Sequence, residues 1–252
     1  MRSSRLIIIF AGLMLVVGGC RKKEPAESEI AAQKNKAQRE AAMNITLQWL
    51  GHASFRISDE DNVIYIDPWK IANAAHDATI VLVSHSHSDH YSAEDIGKVS
   101  GPGTKLIAVA DVIAKQGAGE SIMPGLTIEA GGIMVHCVPS YNPNKQFHPK
   151  KNNWAGFIIQ IGSKRIYYSG DTDIIEEMKT LGKIDLAMLP VGGTYTMNGE
   201  EAAKAAGIIK PKMAIPYHWG DVVGGKSDAE QFAKDADCDV NILAPGETIK
   251  VE

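Results

Sequence analysis

Three imidazoles and a carboxylate crowd into six residues of this chain: His85, His87, Asp89 and His90, within Ser84-His85-Ser86-His87-Ser88-Asp89-His90. Neutral imidazole nitrogen and carboxylate oxygen are the donors that Zn²⁺ and similar divalent ions take. The whole chain of 252 residues holds eight histidines, so a polar surface loop has no reason to reach this density. Side chains this close in sequence converge only in a loop or turn. At the end of a strand such a loop aims them into a shared cleft, and the chemistry it supports is the binding of a divalent metal.

The segment that must position them is Thr79-Ile80-Val81-Leu82-Val83, an apolar run of the kind expected for a strand buried on both faces. Two further polar residues stand at the ends of apolar strands: Asp171 after Tyr168, and His218 after Ile215. Strand ends gathered at one edge would bring these groups onto a rigid platform. Further strands are predicted at 45–50, 55–57, 63–66, 105–109, 133–138, 156–161, 165–168 and 186–189, with a final pair near 240–243 and 248–251. A helix fits Gly199–Ile209, with Asn198 as its cap, Glu201 closing a capping box and Lys210-Pro211 ending it. A second helix fits 228–237. Strands in runs with helices between the runs predict two packed sheets with helices outside.

The histidine segment matches the H-x-H-x-D-H motif of the metallo-β-lactamase superfamily, and further segments resemble that family in order. Leu50-Gly51-His52-Ala53-Ser54-Phe55 and Tyr65-Ile66-Asp67-Pro68 are similar to the opening hairpins of its UlaG-like branch, which includes L-ascorbate-6-phosphate lactonases. Ser169-Gly170-Asp171-Thr172-Asp173 resembles its G-D-T segment. Leu189 to Met197 resembles the loop before the capped helix, and Ile215-Pro216-Tyr217-His218 the strand whose last histidine binds metal. The resemblance covers about 45–251. It implies an α/β fold, a four-layer αββα sandwich, with one or two divalent ions, Zn foremost and Mn or Fe as the other candidates. By the same resemblance His85 and His87 hold a first metal, Asp89, His90 and His218 a second, and Asp171 bridges. A bound water would have its pKa lowered from about 15.7 to roughly 7, with Asp89 orienting the nucleophile and shuttling its proton.

The chain departs from the family at one ligand. Where relatives carry P-A-W-H, this chain has Pro139-Ser140-Tyr141-Asn142, so Asn142 takes the place of the third histidine of the first metal. Either His148, six residues on, swings in as replacement, or the first site is weakened and a single ion is held tightly. His52 reads equally as a catalytic and as an oriented structural residue. Asp67 reads as an acceptor behind the ligand loop. His76 and His136 have no motif around them. Trp49, Trp69, Phe147 and Trp154 read as packing residues rather than a substrate platform.

Composition bounds the rest. With 44% hydrophobic and 22% charged residues the chain has one sizeable core. Its net charge of −4 and the lack of a basic stripe speak against nucleic acid. Arg2 and Arg5, an apolar run at 6–17 and Val17-Gly18-Gly19-Cys20 resemble a bacterial lipoprotein signal peptide, 1–19, with Cys20 lipidated. Residues 20–43, rich in Lys, Glu, Gln and Ala, read as a polar spacer, and 44–252 as the hydrolase domain. Cys137 and Cys238 could pair or stay free. The prediction is a metal-dependent hydrolase, anchored at the cell envelope and facing outside the cytoplasm, that uses a metal-bound hydroxide on an ester, lactone, amide or phosphodiester in a small or lipid-like molecule. The rival readings are a phospholipid-directed phosphodiesterase and a non-catalytic lipoprotein that binds metal or a small ligand.

Overall fold

A computed structural model describes residues 44–251 of the chain. The predicted signal peptide, Cys20 and the spacer lie outside the described residues. Among the described residues no helix is long and apolar enough to cross a membrane.

Among the described residues fourteen strands form two seven-stranded sheets. The first contains β1 (Thr46–Gly51), β2 (Ser54–Ser58), β3 (Val63–Ile66), β4 (Ala78–Val83), β5 (Ser100–Ala108), β6 (Glu120–Ser121) and the returning β14 (Thr248–Lys250), in the order β14-β1-β2-β3-β4-β5-β6. The second contains β7 (Thr127–Ala130), β8 (Ile133–Pro139), β9 (Ala155–Ile161), β10 (Lys164–Tyr168), β11 (Leu186–Pro190), β12 (Met213–Tyr217) and β13 (Asp239–Val240), in the order β13-β12-β11-β10-β9-β8-β7. Each sheet runs through three antiparallel pairings and then three parallel ones, so the second half of the chain repeats the topology of the first. No short-period sequence repeat betrays this, because what repeats is the pairing scheme and not the residues.

Period-two alternation sorts the strands of the second sheet between two cores. Phe157, Ile159, Ile166, Tyr168, Met188, Ile215 and Tyr217 pack between the sheets with Leu47, Phe55, Ile64 and Leu82 of the first sheet. Ile158, Tyr167, Ala187, Leu189 and Ala214 face the other way, onto Ala202, Ala206, Ile209 and Phe232. Those last four belong to α3 (Gly199–Ile209) and α4 (Lys226–Asp235); two shorter ones, α1 (Ala93–Val99) and α2 (Ala110–Gln116), complete the α-helices among the described residues, beside two short 3-10 turns at Lys150–Asn152 and Glu176–Thr180. The layering is the predicted αββα sandwich.

Helix α3 has the predicted bounds. Asn198 accepts from the Glu201 backbone N–H, the Glu201 carboxylate accepts from that of Asn198, and Lys210 closes the helix in the left-handed region. Helix α4 begins and ends two residues earlier than predicted: Gly225 is its cap, and the Asp228 carboxylate accepts from the Gly225 N–H from inside the first turn. The seven-residue α1 and α2 escaped the sequence reading, being too short to show a helical period. The strand expected at 240–243 shrinks to the two residues of β13.

Candidate metal centre

Every chemically promising side chain sits just past a strand, on the same edge of the sandwich. β1 leads to His52, β3 to Asp67, β4 to the 84–90 loop, β8 to Asn142 and His148, β10 to Asp171 and β12 to His218. Three of these residues turn the chain in the left-handed region: His52 at φ 47°, Asp67 at 43° and His218 at 62°. This conformation costs a non-glycine residue on the order of 1 kcal/mol and is typical of functional sites. Gly170 does the same for Asp171: at φ +64°, a Cβ there would stand 2.5 Å from the Ala155 carbonyl oxygen.

Three groups of donors result, each with its ligand atoms within 4.8 Å of one another: His85, His87 and His148; His52, Asp89, His90 and His218; and, behind these, Asp67, His85 and His90. Asp171 lies between the first two. Its carboxylate oxygens approach His148 Nε2 at 3.3 Å, His90 Nε2 at 3.3 Å and His218 Nε2 at 3.0 Å. His85 Nε2 and His87 Nδ1 are 3.2 Å apart.

The rings are oriented from behind. Asp67, fully buried, accepts from His90 Nδ1 at 2.7 Å, from the Ser84 N–H at 2.7 Å and hydroxyl at 2.5 Å, and from the Tyr168 hydroxyl at 2.6 Å. That accords with its reading as an acceptor behind the ligand loop, and it turns His90 Nε2 toward Asp171. Ser84 Oγ also meets His85 Nδ1 at 2.9 Å. On the other side Asn142 Oδ1 accepts from both the backbone N–H (3.1 Å) and Nδ1 (2.8 Å) of His148, while the Asn142 N–H donates to the His148 carbonyl at 2.8 Å. The loop is thereby folded back on itself with His148 Nε2 facing His85 and His87. Asn142 stands behind the ring rather than among the donors.

Several donors find no hydrogen bond although they are buried: His90 Nε2, His148 Nε2, His218 Nε2 and Asp171 Oδ1. Buried polar atoms left unpaired are rare and costly, about 1–3 kcal/mol each, and call for a bonding partner. Electrostatics favours the ligating form of two of the rings. Burial, with His90 adding to it, holds His85 well below the ordinary imidazole range, and burial likewise lowers His87, both toward the neutral form that ligates. Burial opposes a charge on His90 too, but Asp171 and Asp67 outweigh it and raise the ring well above that range. Burial would raise Asp89, yet the His52 hydrogen bond of 3.0 Å and nearby His90 bring its carboxyl down to about 2.

A cavity of about 290 Å³ opens over these groups. His87, Asp89, His148 and Asp171 form its floor, and Trp69, Phe147, Tyr195 and Val222 line its walls. Trp69 and Phe147, expected in packing roles, therefore face the cleft. Trp49 packs as expected, fully buried and 4.9 Å from Trp219, and Trp154 backs His85 at 4.9 Å. His76 and His136 lie apart from the site, bonded to the Ser100 carbonyl and Thr127 hydroxyl. The sequence reading missed Tyr168 and Ser84 as anchors, and Tyr195 and Val222 as cavity walls. Tyr168 carried no signal beyond its strand; Ser84 stood directly beside the motif.

Comparison with known proteins agrees with this geometry. Residues 46–218 match the family model described as the Beta-lactamase superfamily domain. The UPF0173 metal-dependent hydrolase of Pyrococcus abyssi is 32% identical over 228 residues, covering 82% of this chain and all of the relative. A UPF0173 metal-dependent hydrolase of Thermococcus onnurineus is 31% identical with the same coverage. Among solved structures, a protein described as a metal-dependent hydrolase from Parabacteroides distasonis superposes with a TM-score of 0.71 at 31% identity, over 81% of this chain and 94% of its own.

Proposed function

The chain belongs to the metallo-β-lactamase superfamily, among the UPF0173 metal-dependent hydrolases, and from that premise we propose that it hydrolyses a small-molecule ester, lactone, amide or phosphodiester at a centre of two divalent ions, zinc foremost. The observation that carries this reading is the set of buried atoms without a hydrogen-bond partner, His90 Nε2, His148 Nε2, His218 Nε2 and Asp171 Oδ1, with the three imidazole nitrogens 3.3, 3.3 and 3.0 Å from the Asp171 carboxylate. Imidazole and carboxylate are the donor set that zinc takes. His85, His87 and His148 would hold one ion, Asp89, His90 and His218 the other, with Asp171 between the two. When bound, such ions lower the pKa of a water and polarise the scissile group.

The protein's own residues do the rest. Asp89 lies on the cavity floor, ionised, and is held by His52 Nε2, so its carboxylate can take the proton of the attacking water and pass it to the leaving group. His52 acts through Asp89 as a positioning residue. Asp67, Ser84 and Asn142 fix the ring orientations from behind, a support whose loss typically costs 10–100-fold in metal affinity or activity, roughly.

The test is metal analysis of the purified full chain, with turnover of generic ester, lactone, amide and phosphodiester substrates before and after chelation. Hydrolysis should vanish with chelator and return with zinc. Asp89→Ala should keep the circular dichroism of the wild type and lose turnover; near-normal turnover in that folded variant would sink the assignment of Asp89.

The enzyme's place is read from residues 1–20. Two arginines, an apolar run and small residues ending at Cys20 support an acyl anchor that holds the domain at the bacterial envelope, outside the cytoplasm. Cys20→Ser should move the protein out of the detergent-extracted membrane fraction. An intact mass without acyl addition in the wild type would rule the anchor out.

A further inference from the structure

The walls of the cavity over the metal centre have a composition that its floor does not require. The imidazoles and carboxylates that line it belong to the centre: His87, Asp89, His148 and Asp171, with the Ser88 hydroxyl beside them. Above them stand Trp69, Phe147, Tyr195 and Val222, four apolar or aromatic side chains from four separate segments, and neither lysine nor arginine is among the lining residues.

Two of these side chains are large apolar groups left open to solvent, Phe147 at 36% and Val222 at 45%, in a molecule with only four such residues among those described. Solvent-facing apolar side chains gathered at a cavity mouth mark a ligand surface. They are also held in place. Phe147 packs edge-on against Tyr195, with ring centroids 4.7 Å apart and planes at 89°. Its loop is pinned by Lys145, whose ammonium donates to Asp173 at 2.6 Å and to the Thr196 carbonyl at 2.5 Å. Across the cavity Lys70 lies 4.2 Å over the Trp69 ring and donates to Asp221 at 2.7 Å, tying Trp69 to the loop that carries Val222. Lys145 and Lys70, on the loops that carry Phe147 and Trp69, are thus both engaged with carboxylates.

We propose that these four side chains form a collar selecting substrates whose scissile group bears an uncharged apolar chain, and excluding those with a negative charge several bonds away from it. This rests on the proposed hydrolytic centre for the position of the scissile group. A phosphorylated or distal-carboxylate substrate would have to set its second charge against Trp69, Phe147, Tyr195 and Val222, where among the described residues no lysine or arginine lines the cavity to meet it. An alkyl chain, in contrast, removes apolar surface on both sides from water. Full burial strengthens binding about fourfold per methylene, and half-burial at an open mouth about twofold.

The test is equilibrium binding of three carboxylates to the zinc-loaded full chain, followed by calorimetry: acetate, hexanoate, and adipate, which has the six carbons of hexanoate with a second carboxylate at the far end. Hexanoate should bind about tenfold more tightly than acetate, and adipate at least tenfold more weakly than hexanoate. In Phe147→Ala/Val222→Ala, whose positions are exposed, the hexanoate-to-acetate ratio should fall to roughly threefold, and Phe147→Leu should recover most of it. Equal affinities for hexanoate and acetate, adipate binding as tightly as hexanoate, or a ratio unchanged in the double variant would each overturn the proposal. The readout is binding and not turnover, so a failure of the proposed chemistry is seen separately, as lack of hydrolysis in a protein that keeps this preference.

Discussion

On the side of the centre built from residues 52–90, a buried carboxylate, Asp67, receives four hydrogen bonds and binds together the ends of β3, β4 and β10. On the side built from 142–148 the corresponding anchor is a neutral carboxamide, Asn142, which accepts twice, both times from His148, and whose Nδ2 is buried without a partner. Both anchors do the same thing for chemistry: each takes the Nδ1 of one histidine and leaves its Nε2 free to face Asp171. They differ in what else depends on them. Asp67 ties the two sheets to each other through Tyr168, whereas Asn142 closes one loop upon itself. A residue that orients a donor can therefore be part of the framework on one side and local on the other.

Removing the group common to both sides should have the largest effect. Asp171→Ala is expected to lower the content of both ions and to reduce turnover by on the order of a thousandfold, the equivalent of about 4 kcal/mol. Metal content by mass spectrometry beside kcat/KM checks this, and loss of one ion with the other retained would show that Asp171 serves a single side.

Next in size is the framework anchor. Asp67→Ala leaves the Ser84, His90 and Tyr168 donors buried and unpaired, so a stability loss of about 3–5 kcal/mol is expected in urea unfolding. Asn142→Ala should cost only about 1–2 kcal/mol in the same measurement. Equal losses would erase the distinction drawn between the two anchors.

For metal the local anchor should matter on its own side alone. Asn142→Ala is expected to weaken one ion by roughly 10–100-fold and leave the other unchanged, and His148→Ala to empty that position. Competitive titration with a chromophoric chelator reads the two steps apart. Unchanged metal content in His148→Ala would make the loop histidine purely structural.

The smallest effect separates the two thiols of the carboxy-terminal half. Burial pushes the Cys137 thiol up to about 12, and Cys238 is only half-buried, so iodoacetamide at pH 8 should label Cys238 first and Cys137 only on unfolding. Both are free, not paired.

The two sides were also unequally legible in the residues. His85, His87, Asp89 and His90 announce themselves because one short loop holds them all, and local spacing is what a sequence displays. The strands were visible for the same reason, as apolar runs or alternations over a few residues, and α3 was marked by Asn198, Glu201 and Lys210 at its ends. His148 was readable only as one of two alternatives at a departure from the family pattern. Asp67, Asp171 and His218 gained their meaning from motifs of the resemblance, since each is a lone polar residue past a strand.

What the sequence determined by itself was therefore the layering of strands and helices and the presence of a histidine-rich loop, because these depend on hydrophobic period and on near neighbours, whereas Asp171, His218 and His148 took their meaning from the resemblance. Tertiary structure decided that Asn142 supports His148 instead of joining it, that Tyr168 reaches Asp67 across the sandwich, and that Trp69, Phe147, Tyr195 and Val222 meet around one cavity. These contacts join residues from separate strands and loops. Their distances follow from how two sheets pack and how each chain turns at its end, through positive-φ residues such as His52, Asp67 and His218. No spacing along the chain encodes that closure.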